Sequence, residues 1–209
     1  MVGNAANRLF TVTVEDTTPP SLSVPDPIVA EATGPSGAAV TFTASAYDVV
    51  DGTLTPVCSP ASGTTFALGT IPVNCSATDG HGNTTAGGFS VTVRDTTPPT
   101  ISSLAASPSV LWPPNHRMVS VSLATSVSDA CDESPTCQIV LVQSSEPENG
   151  LGDGDTAPDW VVTGKLTVDL RAERAGNGLG RGYTITVRCV DASGNSSTRT
   201  VRVSVPHNQ

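Results

Sequence analysis

Apolar side chains recur at every second position through the runs that carry most of this chain's hydrophobicity. Phe89, Val91 and Val93 alternate with Ser90, Thr92 and Arg94. Val201, Val203 and Val205 alternate with Arg202 and Ser204, and Phe10, Val12 and Val14 with Thr11 and Thr13. A period of two places successive side chains on opposite faces of a β-strand. No stretch carries a 3.6-residue apolar stripe long enough to argue for a helix. Strands are predicted at 21–24, 28–33, 38–46, 53–58, 69–78 and 86–93, then at 100–106, 117–127, 136–144, 160–173, 181–190 and 198–205. Each run is bounded by Gly, Pro, Asp or Ser. Short strands spaced regularly between turn residues predict an all-β sandwich.

The pattern repeats. Val12-Thr-Val-Glu-Asp-Thr-Thr-Pro-Pro20 returns as Val91-Thr-Val-Arg-Asp-Thr-Thr-Pro-Pro99, an offset of 79 residues, and Gly3-Asn4 returns as Gly82-Asn83. A fixed period of this size marks modules joined end to end. Two tandem β-sandwich modules are predicted, over residues 16–94 and 95–209, preceded by an orphan strand within residues 1–15. That strand, centred on Leu9 to Val14, resembles the terminal strand of a preceding module. The second module is longer than the period, and the excess falls between Ser144 and Arg181. It reads as an acidic loop followed by a long hairpin turning at Gly176-Asn177-Gly178. The Asp-Thr-Thr-Pro-Pro hinge is short and φ-restricted at both prolines, which limits the angles between neighbours.

Composition narrows the function. Among 209 residues there are 19 Gly and 17 Pro but only 4% aromatics, so the cores must rely on Val, Leu and Ile. A net charge of −9 disfavours nucleic acid and anionic membranes as partners and favours cations, Ca²⁺ above all. No apolar run approaches the length of a membrane span. Met1-Val2-Gly3-Asn4 lacks the basic and apolar regions of a signal peptide. Five cysteines in a β-rich chain of this size indicate an oxidising compartment. The chain is therefore expected to be secreted, at a cell surface or in an extracellular matrix, as a part of a larger exported protein.

Asp16-Thr-Thr-Pro-Pro20, Cys58-Ser-Pro-Ala-Ser-Gly63, Phe66-Ala-Leu-Gly69 and Val73-Asn-Cys75-Ser-Ala-Thr-Asp79-Gly-His-Gly-Asn83 together resemble the hyalin repeat. The resemblance covers the whole first module and only the two ends of the second. It implies an immunoglobulin-like extracellular module with an adhesive or structural role, and it implies no enzyme activity.

Aligned on the repeat, Cys58 corresponds to Cys137 and Cys75 to Cys189, which suggests two equivalent disulfides. The resemblance adds a further cysteine pair at positions that here hold Val50 and Gly88 in the first module, and Cys131 and Thr200 in the second. Cys131 thus lacks a family partner. A free thiol, a Cys131–Cys137 bridge and a bridge between chains all stay open.

The same alignment matches Asp16 with Asp95, Asp48 with Asp129, Asp51 with Asp132 and Asp79 with Asp191. In an immunoglobulin-like sandwich these positions precede the first strand or follow the second and sixth, so each quartet should gather at one pole. Four carboxylates repel one another unless a cation intervenes, and Ca²⁺ takes 6–8 oxygen ligands. The placement is similar to cadherin junctions, where Ca²⁺ rigidifies successive modules. The competing reading is that Asp and Gly-Asn are ordinary turn formers.

Glu146, Glu148, Asp153, Asp155 and Asp159 concentrate acid in the inserted loop, at the opposite pole, and are the candidates for a further Ca²⁺ cage; the alternative is a solvated loop. Glu146 and Asp159 as a glycosidase pair lack a cleft. Trp112 and Trp160 offer faces for a sugar ring but serve more often as core anchors. An accessory carbohydrate-binding module, with glycans as partners, is the alternative function. His81, His116 and His207 show no metal-ligand spacing. The unpaired strand in residues 1–15 has open backbone groups, and could add to the edge of an identical subunit as a donor strand, propagating a filament.

Overall fold

The computed structural model describes residues 3, 8–148, 157–176 and 179–208. By internal contacts the chain forms two units: residues 1–30 with 38–93, and residues 31–37 with 94–209.

The first unit contains strands β1 (Ser21–Ser23), β2 (Ile28–Glu31), β3 (Ala38–Ala39), β4 (Ser45–Asp48), β5 (Gly52–Leu54), β6 (Val57–Ser59), β7 (Thr65–Phe66), β8 (Gly69–Thr78) and β9 (Thr84–Arg94). They order as β1-β4-β5, as β2-β9-β8-β6, and as the short pair β3-β7. The predicted run 38–46 is interrupted over 40–44, where the Phe42 backbone bonds to the Ser62 hydroxyl instead of a strand neighbour. The run 53–58 is divided at Thr55-Pro56, because proline has no N–H for a ladder. Its two halves pair with different strands, β5 with β4 and β6 with β8. The alternation in β8 and β9 turns Val73, Cys75, Ala77, Phe89, Val91 and Val93 into the core, with Phe66 opposite.

Residues 8–20 lie in no strand among the described residues, and Leu9, Phe10, Val12 and Val14 are exposed. A β-strand is defined by its partner, and this alternating segment has none there.

The second unit contains β10 (Thr100–Ser107), β11 (Met118–Ser128), β12 (Thr136–Ser144), β13 (Trp160–Gly164), β14 (Thr167–Arg171), β15 (Gly180–Val190) and β16 (Ser196–Pro206). One sheet orders β10-β11-β14-β13 and the other β12-β15-β16, with Val110 bridging in parallel to Ser204. Val121, Leu123, Val168, Leu170, Tyr183, Ile185, Val187 and Val203 fill the space between them. The long hairpin expected to turn at residues 176–178 does not form. β14 pairs with β11 and β13, while β15 belongs to the other sheet, so the connection between them crosses the sandwich. The local hairpin is β13–β14, turning at Lys165-Leu166. Asn177 and Gly178 lie outside the described residues.

Register fixes what meets at each end. Thr100 pairs with Ser128, Thr136 with Val190 and Val190 with Ser196, so the segments after β11 and β15 share an end with the start of β10. Met118 pairs with Arg171, which puts the ends of β12 and β14 at the opposite pole with the start of β15.

Candidate metal centres

In the first unit Asp16 precedes β1, Asp48 ends β4, Asp51 lies in the β4–β5 turn and Asp79 follows β8. The local chemistry of each is a turn. Asp16 Oδ1 accepts from the Thr18 N–H at 3.0 Å, and Asp48 Oδ1 from the N–H groups of Val50 and Asp51 at 2.7 and 3.1 Å. Asp79 Oδ1 accepts from His81 and Asn83 at 2.9 and 2.8 Å, and Asp51 Oδ2 from Gly80 at 3.2 Å. Gly82 sits at φ 90°, a conformation that favours glycine, which accounts for the repeated Gly-Asn. Asn83 Nδ2 then donates to Asp79 Oδ2 and to the Asp16 carbonyl.

These turns bring the quartet together: one carboxylate oxygen from each of Asp16, Asp48, Asp51 and Asp79 lies within 4.8 Å of the others. Turn duty uses only part of each carboxylate. Asp16 Oδ2 and Asp48 Oδ2 are buried with no hydrogen-bond partner, and Asp48 is only 2% exposed. His81, which shows no metal-ligand spacing in the sequence, places Nδ1 3.3 Å from Asp51 Oδ2 and 3.6 Å from Asp16 Oδ2. Burial tends to raise the Asp79 carboxyl, but the Asn83 side chain and the N–H groups of Asn83, His81 and Gly82 outweigh it and hold the group below its usual range.

The second unit repeats this bonding almost atom for atom. Asp95 Oδ1 accepts from Thr97, Asp129 Oδ1 from Cys131 and Asp132, Asp132 Oδ2 from Ala192, and Asp191 Oδ1 from Asn195. Asn195 Nδ2 donates to Asp191 Oδ2 and the Asp95 carbonyl. Four residues of these turns differ: Ala130 and Cys131 stand where the first unit has Val49 and Val50, and Ala192 and Ser193 where it has Gly80 and His81. The group within 4.8 Å is Asp95, Asp129 and Cys131. Asp132 and Asp191, expected to complete a quartet, stand outside it. Asp132 also accepts from the Ser134 N–H through Oδ1, so both of its oxygens are committed to backbone donors. Cys131 is a free cysteine, and burial, then the charges of Asp95 and Asp129, push its thiol up. Glu31, in the same unit, accepts from the Thr96 N–H and from the hydroxyls of Thr96 and Thr97, and these bonds lower its pKa.

The remaining cysteines pair as Cys58–Cys75 and Cys137–Cys189, each joining directly opposed residues of neighbouring strands in one sheet.

At the other pole of the second unit, Glu146 and Asp159 meet a cation of the protein itself. Arg181 is buried and donates from Nη1 to Asp159 Oδ2 and from Nε to Glu146 Oε2 at 3.3 Å. Buried Glu173 lies 3.5 Å from Arg181 Nη1 and 3.2 Å from His116 Nδ1. The protein's own guanidinium thus meets two of the five carboxylates assigned from sequence to Ca²⁺. Glu148 is exposed, and Asp153 and Asp155 lie outside the described residues. No metal-ligating group of three is found at this pole among the described residues. Burial penalises the Arg181 charge, but the Tyr183 hydroxyl, Asp159 and Glu146 more than offset it and hold the group protonated. Burial raises the Glu173 carboxyl and pushes the Tyr183 hydroxyl up to about 12. Trp160 packs on the core, edge-on to Tyr183 at 6.4 Å.

The sequence reading omitted Arg181, Glu173 and His81 from the site. Arg181 was legible: it shares the period-two face with Tyr183, Ile185 and Val187, so it had to point inward.

Sandwiches of antiparallel sheets, each with a cross-strand disulfide, define both units as all-β modules of the immunoglobulin-like class. Residues 15–93 match the HYR domain. Hyalin of Strongylocentrotus purpuratus is 29% identical over 198 residues, which is 91% of this chain but 16% of hyalin. The chain therefore spans about a sixth of that relative's length. Among solved structures, human protocadherin-24 EC1-2 is similar at 16% identity and a TM-score of 0.35, covering 88% of this chain and 95% of that one. The Ig1-2 module of Drosophila receptor protein tyrosine phosphatase DLAR is similar at 10% identity and a TM-score of 0.29, covering 90% and 98%.

Proposed function

We propose that this chain is a load-bearing or adhesive segment of an extracellular protein, in which Ca²⁺ stiffens the entry of the chain into the first module. The observation that supports it most is the pair of buried oxygens that accept no hydrogen bond, Asp16 Oδ2 and Asp48 Oδ2, inside a group of four carboxylates. Leaving such atoms unmatched is costly, and a cation that accepts carboxylate oxygens at variable geometry relieves it. Asp16 belongs to the hinge motif, so binding there also fixes the start of the module.

Calorimetry and thermal melts with Ca²⁺ test this on the 1–209 chain and on an Asp16→Asn/Asp48→Asn variant. Ca²⁺ at about 100 times its Kd adds roughly 2.7 kcal/mol to the intact chain. Equal, negligible heats from both proteins would remove the proposal.

Partners are neighbouring modules or identical subunits. The exposed alternating segment Leu9 to Val14 supports strand addition to a sheet edge of another copy. Fibres seen by electron microscopy for residues 1–209 and lost on deleting residues 1–15 are the expected result.

A further inference from the structure

Cys131 sits against two carboxylates that each have one oxygen to spare. Asp95 is 8% exposed, and its Oδ2 is buried without a hydrogen-bond partner; Asp129 Oδ2 is in the same condition. The opposite oxygens are pinned, Asp95 Oδ1 by the Thr97 N–H at 3.1 Å and Asp129 Oδ1 by the N–H groups of Cys131 and Asp132 at 2.8 and 3.0 Å. Backbone bonds therefore hold both carboxylates in place, and the sulfur lies with one oxygen of each inside one 4.8 Å group. Two anionic oxygens and a thiol, gathered and partly removed from water, lack a positive partner in that group.

We propose that Asp95, Asp129 and Cys131 form a metal site for a thiophilic divalent cation of the Zn²⁺ class, distinct in selectivity from the carboxylate site of the first module. Donor chemistry carries the distinction. Ca²⁺ requires 6–8 oxygens and has little affinity for sulfur, whereas Zn²⁺ takes four ligands from thiolate, imidazole and carboxylate. Here Asp132 has both oxygens engaged by the backbone, and the sulfur replaces an aliphatic side chain, Val50, of the first module. Three protein ligands leave one tetrahedral position for water or for a group from a partner. The thiol must lose its proton as the metal enters, so binding releases a proton and strengthens with pH. The site does not depend on Ca²⁺ binding in the first module.

Co²⁺ is the optical probe, added to the reduced, metal-free 1–209 chain. A near-ultraviolet sulfur-to-cobalt charge-transfer band is expected, removed stoichiometrically by Zn²⁺ and untouched by excess Ca²⁺. Zn²⁺ should also protect Cys131 from alkylation. Cys131→Ser and Cys131→Val should fold, because the first module carries Val50 at this position, and both should lose the band while keeping the calorimetric response to Ca²⁺. Absence of the band in the parent chain, or a band and Zn²⁺ affinity unchanged in Cys131→Val, would overturn the proposal. Loss of the Ca²⁺ response in Asp16→Asn/Asp48→Asn with the cobalt band retained bears on the first module alone and supports two independent sites.

Discussion

The Asn83 carboxamide donates to the main-chain carbonyl of Asp16, 3.1 Å away and 67 residues earlier in the chain. With its second bond, to Asp79 Oδ2 at 2.8 Å, it ties the segment entering the module to the turn that leaves β8. Asn195 repeats the arrangement with Asp95 and Asp191. Asn83→Ala should destabilise the first unit by about 1–3 kcal/mol, since it strips a part-buried carboxylate of its donor. Urea unfolding reads the loss, and Asn195→Ala should match it in the second unit.

Arg181 is the hub of its pole, so removing it leaves Asp159 buried without its cation and Glu173 with only His116 and Arg171 nearby. Arg181→Met should cost the second unit roughly 3–5 kcal/mol, read by chemical denaturation. Replacing Arg181, Asp159 and Glu173 together with apolar residues of similar volume should recover most of that loss. Glu146→Gln should cost far less, because Glu146 is more exposed and also bonds the Ala175 N–H.

Two carboxyls impose opposite pH dependences. Asp79 is held below its unfolded value, so the stability it contributes is present above that value and is lost as pH falls through its folded pKa. Glu173 is held above its unfolded value by burial, so the folded state binds its proton more tightly. The resulting stability falls as pH rises from the ordinary carboxylate range through the folded pKa. Thermal melts across pH should show Asp79→Asn flattening the acid limb of the first unit and Glu173→Gln removing the decline in the second.

Reduction should weaken both units, the second slightly more. Loop-closure entropy for sequence separations of 17 and 52 residues corresponds to about 3 and about 4 kcal/mol. Denaturation with and without reductant measures the difference.

The strand pattern and the repeat made much of this legible before any coordinates. Period-two runs located most strands, and aligning the modules on Asp-Thr-Thr-Pro-Pro named the four aspartates that meet in the first unit. Strand partners were not legible, because alternation shows which face is buried and not which sheet a strand joins; β14 and β15 illustrate this. Counting acids also misread the inserted loop. Charge along the sequence omitted Arg181, which comes more than twenty residues after Asp159 and enters from another strand. Repeat symmetry likewise overstated the second quartet: Asp132 has an extra backbone donor in Ser134, a local difference that alignment by position does not register.

Each disulfide also limits how far its module can be stretched. When the ends of the chain are pulled apart, residues enclosed by a covalent loop cannot extend. In the second module the loop from Cys137 to Cys189 withholds 52 residues. At about 3.3–3.6 Å per extended residue, that shortens the gain in contour length by roughly 170–190 Å. Such a module gives way in a short, bounded step and leaves its inner strands β12 and β15 tethered side by side, ready to re-form when the load is released.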